Sequence, residues 1–431
     1  MNTPGSSEVG RARVQRPERT QIEWRPLAFD QLVPADHRVR VVWRYVESLD
    51  LSPLYAKIQA VEGKAGRDAV DPQILMALWM FATIEGISSA QQLDRLCARD
   101  LAYLWICGGV GVNYHLLSDF RSAHGEFLDR LFTDTIATLM HQGLVTLEVV
   151  AQDGMRVRAS AGSSSFRRQQ SLKKCLEQAR QQVEHLNTER DREAHRDAGN
   201  ARREAASQRA AQEREQRIEQ ALEELAKLQE QREQRKHGSG EDARASTTDP
   251  EARNMKMACG GYRPAYNVQF VSDGGARMIV GLDVTNSGSD RGQMAPLYDQ
   301  VCQRYGKVPE QYLVDCGFAT RQDISRLEQS GSRVYAPIYN EESIKAKGID
   351  PYARKRHDND ETFAARRRMA SEEAKQIYKQ RPSIAEYANA ECRNRGLQQF
   401  RVRGLAKVRV IALWHALTFN FLRMMSLGVV Q

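Results

Sequence analysis

A chain of 431 residues is long enough to bury at least one sizeable core and to carry two or three domains. Its 63 Lys and Arg against 55 Asp and Glu leave a formal net charge of +8, which favours a polyanionic partner without choosing among DNA, RNA and an anionic membrane surface. Seven scattered cysteines with no CxxC pair, and nine histidines without ligand spacing, argue for a reduced chain and against a zinc site.

The opening MNTPGSSEVGRARVQRPERT is polar and basic, with no apolar core for a leader peptide, so residues 1–22 are expected to form a disordered basic arm. Residues 23–144 turn helical. In VDPQILMALWMFATIEG, Asp71 and Pro72 make a natural helix start, and Ile74, Leu75, Leu78, Trp79 and Ala82 fall on one face. Ser118 is placed before a short helix in VNYHLLSDFRSAHGEFLDRLF, a pattern that suits either a helix-turn-helix or a buried helical hairpin.

At residues 145–158 the period changes, and Val149 and Val150 run into Asp153 as a buried strand ending in an acid. Residues 167–245 are charged. Leu172, Leu176, Ala179, Val183 and Leu186, then Ile218, Leu222 and Leu225, predict a coiled-coil-like helical insert that folds back near Gly199 and Asn200 or pairs with another copy. AYNVQFV and RMIVGLDVT follow as a hairpin around Ser272, Asp273, Gly274 and Gly275. Helix, strand, helix and strand then alternate to PI at residue 338, so an α/β mixed sheet flanked by helices is expected for residues 145–166 and 246–431. Residues 340–375 read as a solvated connector and the last sixty as helical. The apolar stretch 408–430 is broken by Arg409, His415, Asn420 and Arg423, so no membrane span is expected.

Two acids, Asp153 and Asp315, sit at expected strand ends. A carboxylate there either begins a turn, as Asp153–Gly154 suggests, or faces a cation that offsets its desolvation. A third acid, Glu386, shares a helix face with Asn389 and Arg393, and Glu391 is a rival on the same helix. Asp290 in NSGSDRGQ reads as a helix cap or a support for the acids.

The order of Asp153, a hairpin, Asp315 and Glu386 resembles the DDE domain of bacterial insertion-sequence transposases, an RNase H-like fold. QDGMRVRASAGSSSFRR, GGYRPAYNVQFVSD, VTNSGSDRGQMAP, YLVDCGFA and AEYANAECRNRGLQQFRVRGLAKVRVIALWHALTFNFLR all look like blocks of that family, which also has a helical N-terminal domain and a charged helical insert. The family's Tyr, Arg, Glu, Lys signature stands here as Tyr378, Arg381, Glu386 and Arg393, with Arg for the final Lys and one extra residue between Arg381 and Glu386. Cys316 follows Asp315, where the family usually carries a non-thiol residue.

What the resemblance implies is cleavage of phosphodiester bonds at an element's ends and transfer of the freed strand, with two Mg²⁺ (or Mn²⁺) held by Asp153, Asp315 and Glu386. It also implies double-stranded DNA as partner, at terminal inverted repeats and target, a homodimer on that DNA, and a cytoplasmic, nucleoid-associated bacterial location. Tyr378, Arg381 and Arg393 are the expected DNA contacts near the acids, with Arg401, Arg403, Lys407 and Arg409 on phosphates further along, and Tyr114, His115 and Arg121 in an end-binding N-terminal domain. A catalytically silent DNA-binding regulator, and a nuclease without strand transfer, are the alternative functions.

Overall fold

Side-chain caps and apolar faces set the helices of the N-terminal half. The computed structural model describes residues 20, 26, 28–60, 67–192, 198–234 and 240–430, so the expected arm lies almost wholly outside the described residues. The helices are α1 (Arg38–Glu47), α2 (Ser52–Tyr55), α3 (Pro72–Ile84), α4 (Ala90–Cys97), α5 (Leu101–Cys107), α6 (Tyr114–Ala123) and α7 (Gly125–His141). Asp71 accepts from the Gln73 N–H and Pro72 opens α3, as its sequence suggests. Every residue of α3 but Gln73 is buried, so it is a central helix rather than one with a single apolar face. Asn113 caps α6, whose Leu116 N–H it accepts, and Ser118 lies inside that helix rather than before it.

The sheet is built from β1 (Val149–Arg158), β4 (Arg253–Lys256), β5 (Tyr262–Asp273), β6 (Ile279–Thr285), β7 (Gln311–Leu313) and β8 (Arg333–Tyr335), in the order β4-β5-β1-β7-β8 with β6 beside the later half of β5. β1 runs antiparallel to β5 and parallel to β7, and β7 parallel to β8. The hairpin turn after β5 is held by Asp273, which accepts from the Ala276 and Leu147 N–H groups at 2.8 and 3.0 Å. A mixed sheet flanked by helices, behind an N-terminal helical region, is consistent with an RNase H-like fold.

Between β1 and β4 the chain leaves and re-enters through a short ladder, β2 (Phe166–Arg167) against β3 (Ala245–Ser246). The excursion consists of α8 (Gln169–Arg192) and α9 (Ala198–Glu233), packed on one another within the chain. Arg180 donates to Glu215 and Glu219, and Arg214 to Gln182, which fixes them antiparallel. Leu172, Ala179, Ile218, Ala221 and Leu225 are buried in the seam, whereas Leu176, Val183 and Leu186 are only partly covered. Gly199 and Asn200 belong to α9, so the chain does not fold back at them as the sequence suggests.

The remaining helices are α10 (Met294–Tyr305), α11 (Arg321–Gln329), α12 (Glu341–Lys345), α13 (Asp360–Arg368), α14 (Glu372–Tyr378), α15 (Tyr387–Asn394) and α16 (Leu405–Ser426). Residues 340–350 are mostly exposed, but the rest of 340–375 is not a solvated connector. Arg368 grips Glu328 on α11 through two bonds of 2.6 and 2.8 Å, Arg366 grips Asp358 likewise, and Tyr352, Met369 and Ala374 join a small core with Ala151, Leu313 and Tyr335. Charged residues that pair over a distance in sequence look the same, read locally, as charged residues facing water.

α16 is long and apolar enough to span a membrane by length and composition, but most of it is buried against α3, α6, α7 and β6. Three of its polar interruptions have partners there. Asn420 exchanges two hydrogen bonds with the Ile279 backbone at the edge of β6, Arg423 donates to Ala276 O, and Arg409 lies 3.6 Å from Asp129. His415 is fully enclosed. Burial, with Arg121 and Arg395 nearby, pushes its imidazole down to about 3, so it is neutral in the fold and takes a proton near 6.5 once unfolded. This stabilisation is complete above the unfolded value and is lost as pH falls through the interval towards 3. We expect His415 to account for roughly 2 kcal/mol of lost stability between pH 7.5 and pH 5. Thermal melts should therefore show a shallower decline over that range in His415→Gln, and equal slopes in the two proteins would refute the assignment.

Candidate active site

Asp153 lies in the middle of β1, opposite Phe270 of β5, and not at a strand end. The parallel register pairs Val149 with Gln311, Val150 with Tyr312 and Ala151 with Leu313. Carried two residues on, the same offset sets Asp315 level with Asp153, on strands whose neighbours lie about 4.8 Å apart. Asp315 is exposed, just past the end of β7, while the Asp153 side chain is 23% exposed. Burial raises the Asp153 carboxyl above its usual range, and the Arg381 charge pulls it partly back.

The third acid arrives by an unusual helical turn. After α14, residues Pro382–Glu386 form a π-helical turn that runs directly into α15. Such a turn bonds residues five apart, so the extra residue between Arg381 and Glu386 is absorbed and the two side chains meet. Arg381 Nη1 donates to Glu386 Oε1 at 3.2 Å, and Nη2 to Asp153 Oδ1 at 2.9 Å. One turn on, Asn389 Nδ2 donates to the other oxygen of Asp153 at 2.8 Å. Glu391 points elsewhere. It pairs with Arg395, which donates to Ile84 O at the end of α3.

Gly154 does not make a turn either. It sits on the opposite face of β1, where a Cβ would come within 2.3 Å of Gln269 Nε2 and 2.6 Å of Asp290 Oδ1. That face carries a buried polar network. Gln152 accepts from the Tyr312 hydroxyl and donates to Gln269, while Asn267, Gln269 and Arg156 all donate to the Asp290 carboxylate at 2.8 Å. Asp290 thus ties β1 to β5 through its side chain instead of capping α10, which has no side-chain cap. The alternations Gln152-x-Gly154-x-Arg156 and Asn267-x-Gln269 were the sequence signal for this network, since residues two apart share a face.

Tyr378 is half-buried near Asp315, Cys316, Arg381 and Glu386, and burial pushes its hydroxyl up to about 12. Burial, with Asp315 beside it, also raises the Cys316 thiol, which keeps it protonated and less reactive. Arg393 is half-exposed on α15, without an ion-pair partner among the described residues. Arg401, Arg403 and Lys407 are exposed beyond the far end of β1, since Phe400 N–H donates to Arg158 O. That end lies roughly 17 Å along the strand from Asp153. They line a cleft of about 700 Å³ shared with Glu213, Arg217 and Glu223 of α9. Arg121 is different: it is buried, donates to Ser88 O at 2.6 Å and stacks 4.4 Å over Trp79, so it is a core residue and not a surface contact for DNA. Tyr114 and His115 are exposed at the start of α6.

Residues 27–123 match the family model of a transposase domain (DUF772), and residues 232–421 match that of the transposase DDE domain. The chain belongs to the DDE transposase family. Together the matches cover roughly two thirds of its length, from before α1 to the last turns of α16. The DDE match contains Asp315 and Glu386 but begins after β1, so Asp153 joins them through the sheet register and Arg381. No curated protein and no solved structure matches the chain.

Three carboxylates are the hard oxygen donors that a divalent cation prefers, and the buried Asn389 Oδ1, which has no hydrogen-bond partner, adds an oxygen beside Asp153. In the arrangement described, however, a guanidinium rather than a ligand cage joins Asp153 to Glu386. Among the described residues no group of three or more His, Cys, Asp or Glu is gathered closely enough to hold a metal ion. The transposase's central strand also depends on its opposite face. Gly154→Ala is expected to cost about 2 kcal/mol by forcing Gln269 and Asp290 apart, read as a lower midpoint in urea, and an unchanged midpoint would show that the network yields freely.

Proposed function

We propose that this transposase binds the terminal inverted repeats of an insertion element, cleaves phosphodiester bonds there and joins the freed strand to target DNA, with Asp153, Asp315 and Glu386 holding two Mg²⁺ or Mn²⁺ ions. The observation that carries this reading is the convergence on one strand centre: Asp315 level with Asp153 by register, and Glu386 tied to Asp153 through Arg381. When bound, the cations would activate the attacking oxygen and stabilise the leaving one in an in-line displacement at phosphorus. The chain's own residues prepare for this. Asn389 orients the Asp153 carboxylate, and the opposite-face network keeps β1 in register with β5. Tyr378, Arg381 and Arg393 supply a hydroxyl and two positive charges for phosphates near the scissile bond, while Arg401, Arg403 and Lys407 follow the backbone further away.

Residues 23–144 would carry the end-binding region, with Tyr114 and His115 exposed for it, and residues 145–166 and 246–431 the RNase H-like catalytic domain. The insert, residues 167–245, has a coiled-coil-like seam closed within one chain, so pairing of the two ends would rest on a homodimer formed through other surfaces or through DNA. A cytoplasmic, nucleoid-associated place in a bacterium fits a DNA partner. The rival reading, a silent DNA-binding regulator, draws on one observation, that the Arg381 guanidinium fills the space between Asp153 and Glu386.

Cleavage of DNA carrying the element's own ends separates the two. With Mg²⁺ or Mn²⁺ we expect strand cleavage that falls by about 10³-fold or more in Asp153→Asn, with DNA binding retained. Unchanged cleavage in that variant would sink the site assignment, and sequence-specific binding without cleavage under any divalent ion would favour the regulator.

A further inference from the structure

Arg381 is deeply set but incompletely satisfied. Its side chain is 8% exposed, against 58% for Glu386, and a single guanidinium spans the two acids. Its Nε is buried without a hydrogen-bond partner, as is Asn389 Oδ1. Buried polar atoms are nearly always paired in folded proteins, so an orphan on each of the two side chains that hold one carboxylate marks an arrangement that gives up part of its bonding. The guanidinium donates to Asp153 Oδ1 and Glu386 Oε1, and these are oxygens that a divalent cation would also take. The two compete for them, because a cation on Asp153 Oδ1 would set a like charge beside the guanidinium that donates there.

We propose that Arg381 is a resident counter-ion of Asp153 and Glu386 that competes with the divalent cation for them. The cation loads when the guanidinium exchanges Asp153 for another anion, and a phosphate of bound DNA is the anion a transposase meets. Asn389 keeps its bond to the second oxygen of Asp153 through the exchange and so holds the carboxylate in orientation; it is a positioning residue. The device would couple metal loading to DNA, leaving the chain poorly charged for cleavage in its absence. It rests on the reading of Asp153 and Glu386 as metal-holding residues.

The test is binding of Mn²⁺ alone to the full chain without DNA, followed by the spectroscopic signal of free Mn²⁺. The proteins compared are the wild type, Arg381→Gln, Asp153→Asn and the double variant. Arg381→Gln is expected to bind Mn²⁺ about tenfold more tightly than the wild type, and to gain more thermal stability from it. Asp153→Asn should remove that tight site in both backgrounds. Arg381→Lys, which keeps the charge and loses the two-pronged grip, should fall between, and it serves if the Gln variant does not fold. An Arg381→Gln protein that binds Mn²⁺ no better than the wild type, or not at all, overturns the competition while leaving the acids' assignment to stand on cleavage. Tight binding that survives Asp153→Asn in both backgrounds overturns the assignment of the acids itself.

Discussion

A carboxylate halfway along the central strand of a sheet is costly unless a positive charge or several hydrogen bonds face it, and Asp153 has both. Arg381 and Asn389 meet its two oxygens from the helices laid over that face. The path of the late chain follows from this need. Pro382, which lacks an N–H, opens the π-helical turn, and that turn brings Arg381, Glu386 and Asn389 onto one side. An uninterrupted α-helix would have carried Glu386 away from the guanidinium. The opposite face of β1 meets its own demand differently, by removing a side chain at Gly154 so that Asp290 and Gln269 can close a polar network.

The N-terminal helices are not a separate module leaning on the sheet. α16 packs against both, and one continuous core runs from Val39 through the sheet to Met424. Two tryptophans join the parts, Trp79 donating to Leu117 O and Trp414 to Arg121 O, so α6 is fixed from both sides. Gly86 and Gly396 meet so closely that a Cβ on Gly396 would lie 2.9 Å from Gly86 O, a contact between α3's end and the loop after α15. The geometry of the acids and that of the N-terminal helices are therefore mechanically linked through the same apolar interior.

Much of the layout was legible. The change of period at residue 145, the hairpin around Asp273 and the alternation afterwards gave the mixed sheet, because periods of 2.0 and 3.6 follow from backbone geometry. The heptad seam gave the helical excursion but not where it reverses. Local reading failed where partners are remote. Arg121 looked like a surface cation because its neighbours Ser88 and Trp79 are far away in sequence, and residues 340–375 looked solvated because Arg368 finds Glu328 only in the fold. Asp153–Gly154 imitated a turn, although the glycine answers to side chains on β5 and the loop carrying Asp290. Arg381 was read as a phosphate contact. That its charge first serves the acids depends on a buried geometry that spacing alone does not reveal.

The small ladder between β2 and β3 has a consequence for how such a chain varies. Because the excursion of α8 and α9 departs and returns at two paired residues, its length enters the sheet's geometry nowhere. Turns added or lost at the tip would shift no strand register, and the entropy of closing a longer loop grows only logarithmically. The hairpin is an outrigger whose reach is set independently of the hull. Evolution can alter what it touches, or how far away, while the carboxylates stay where the strands put them.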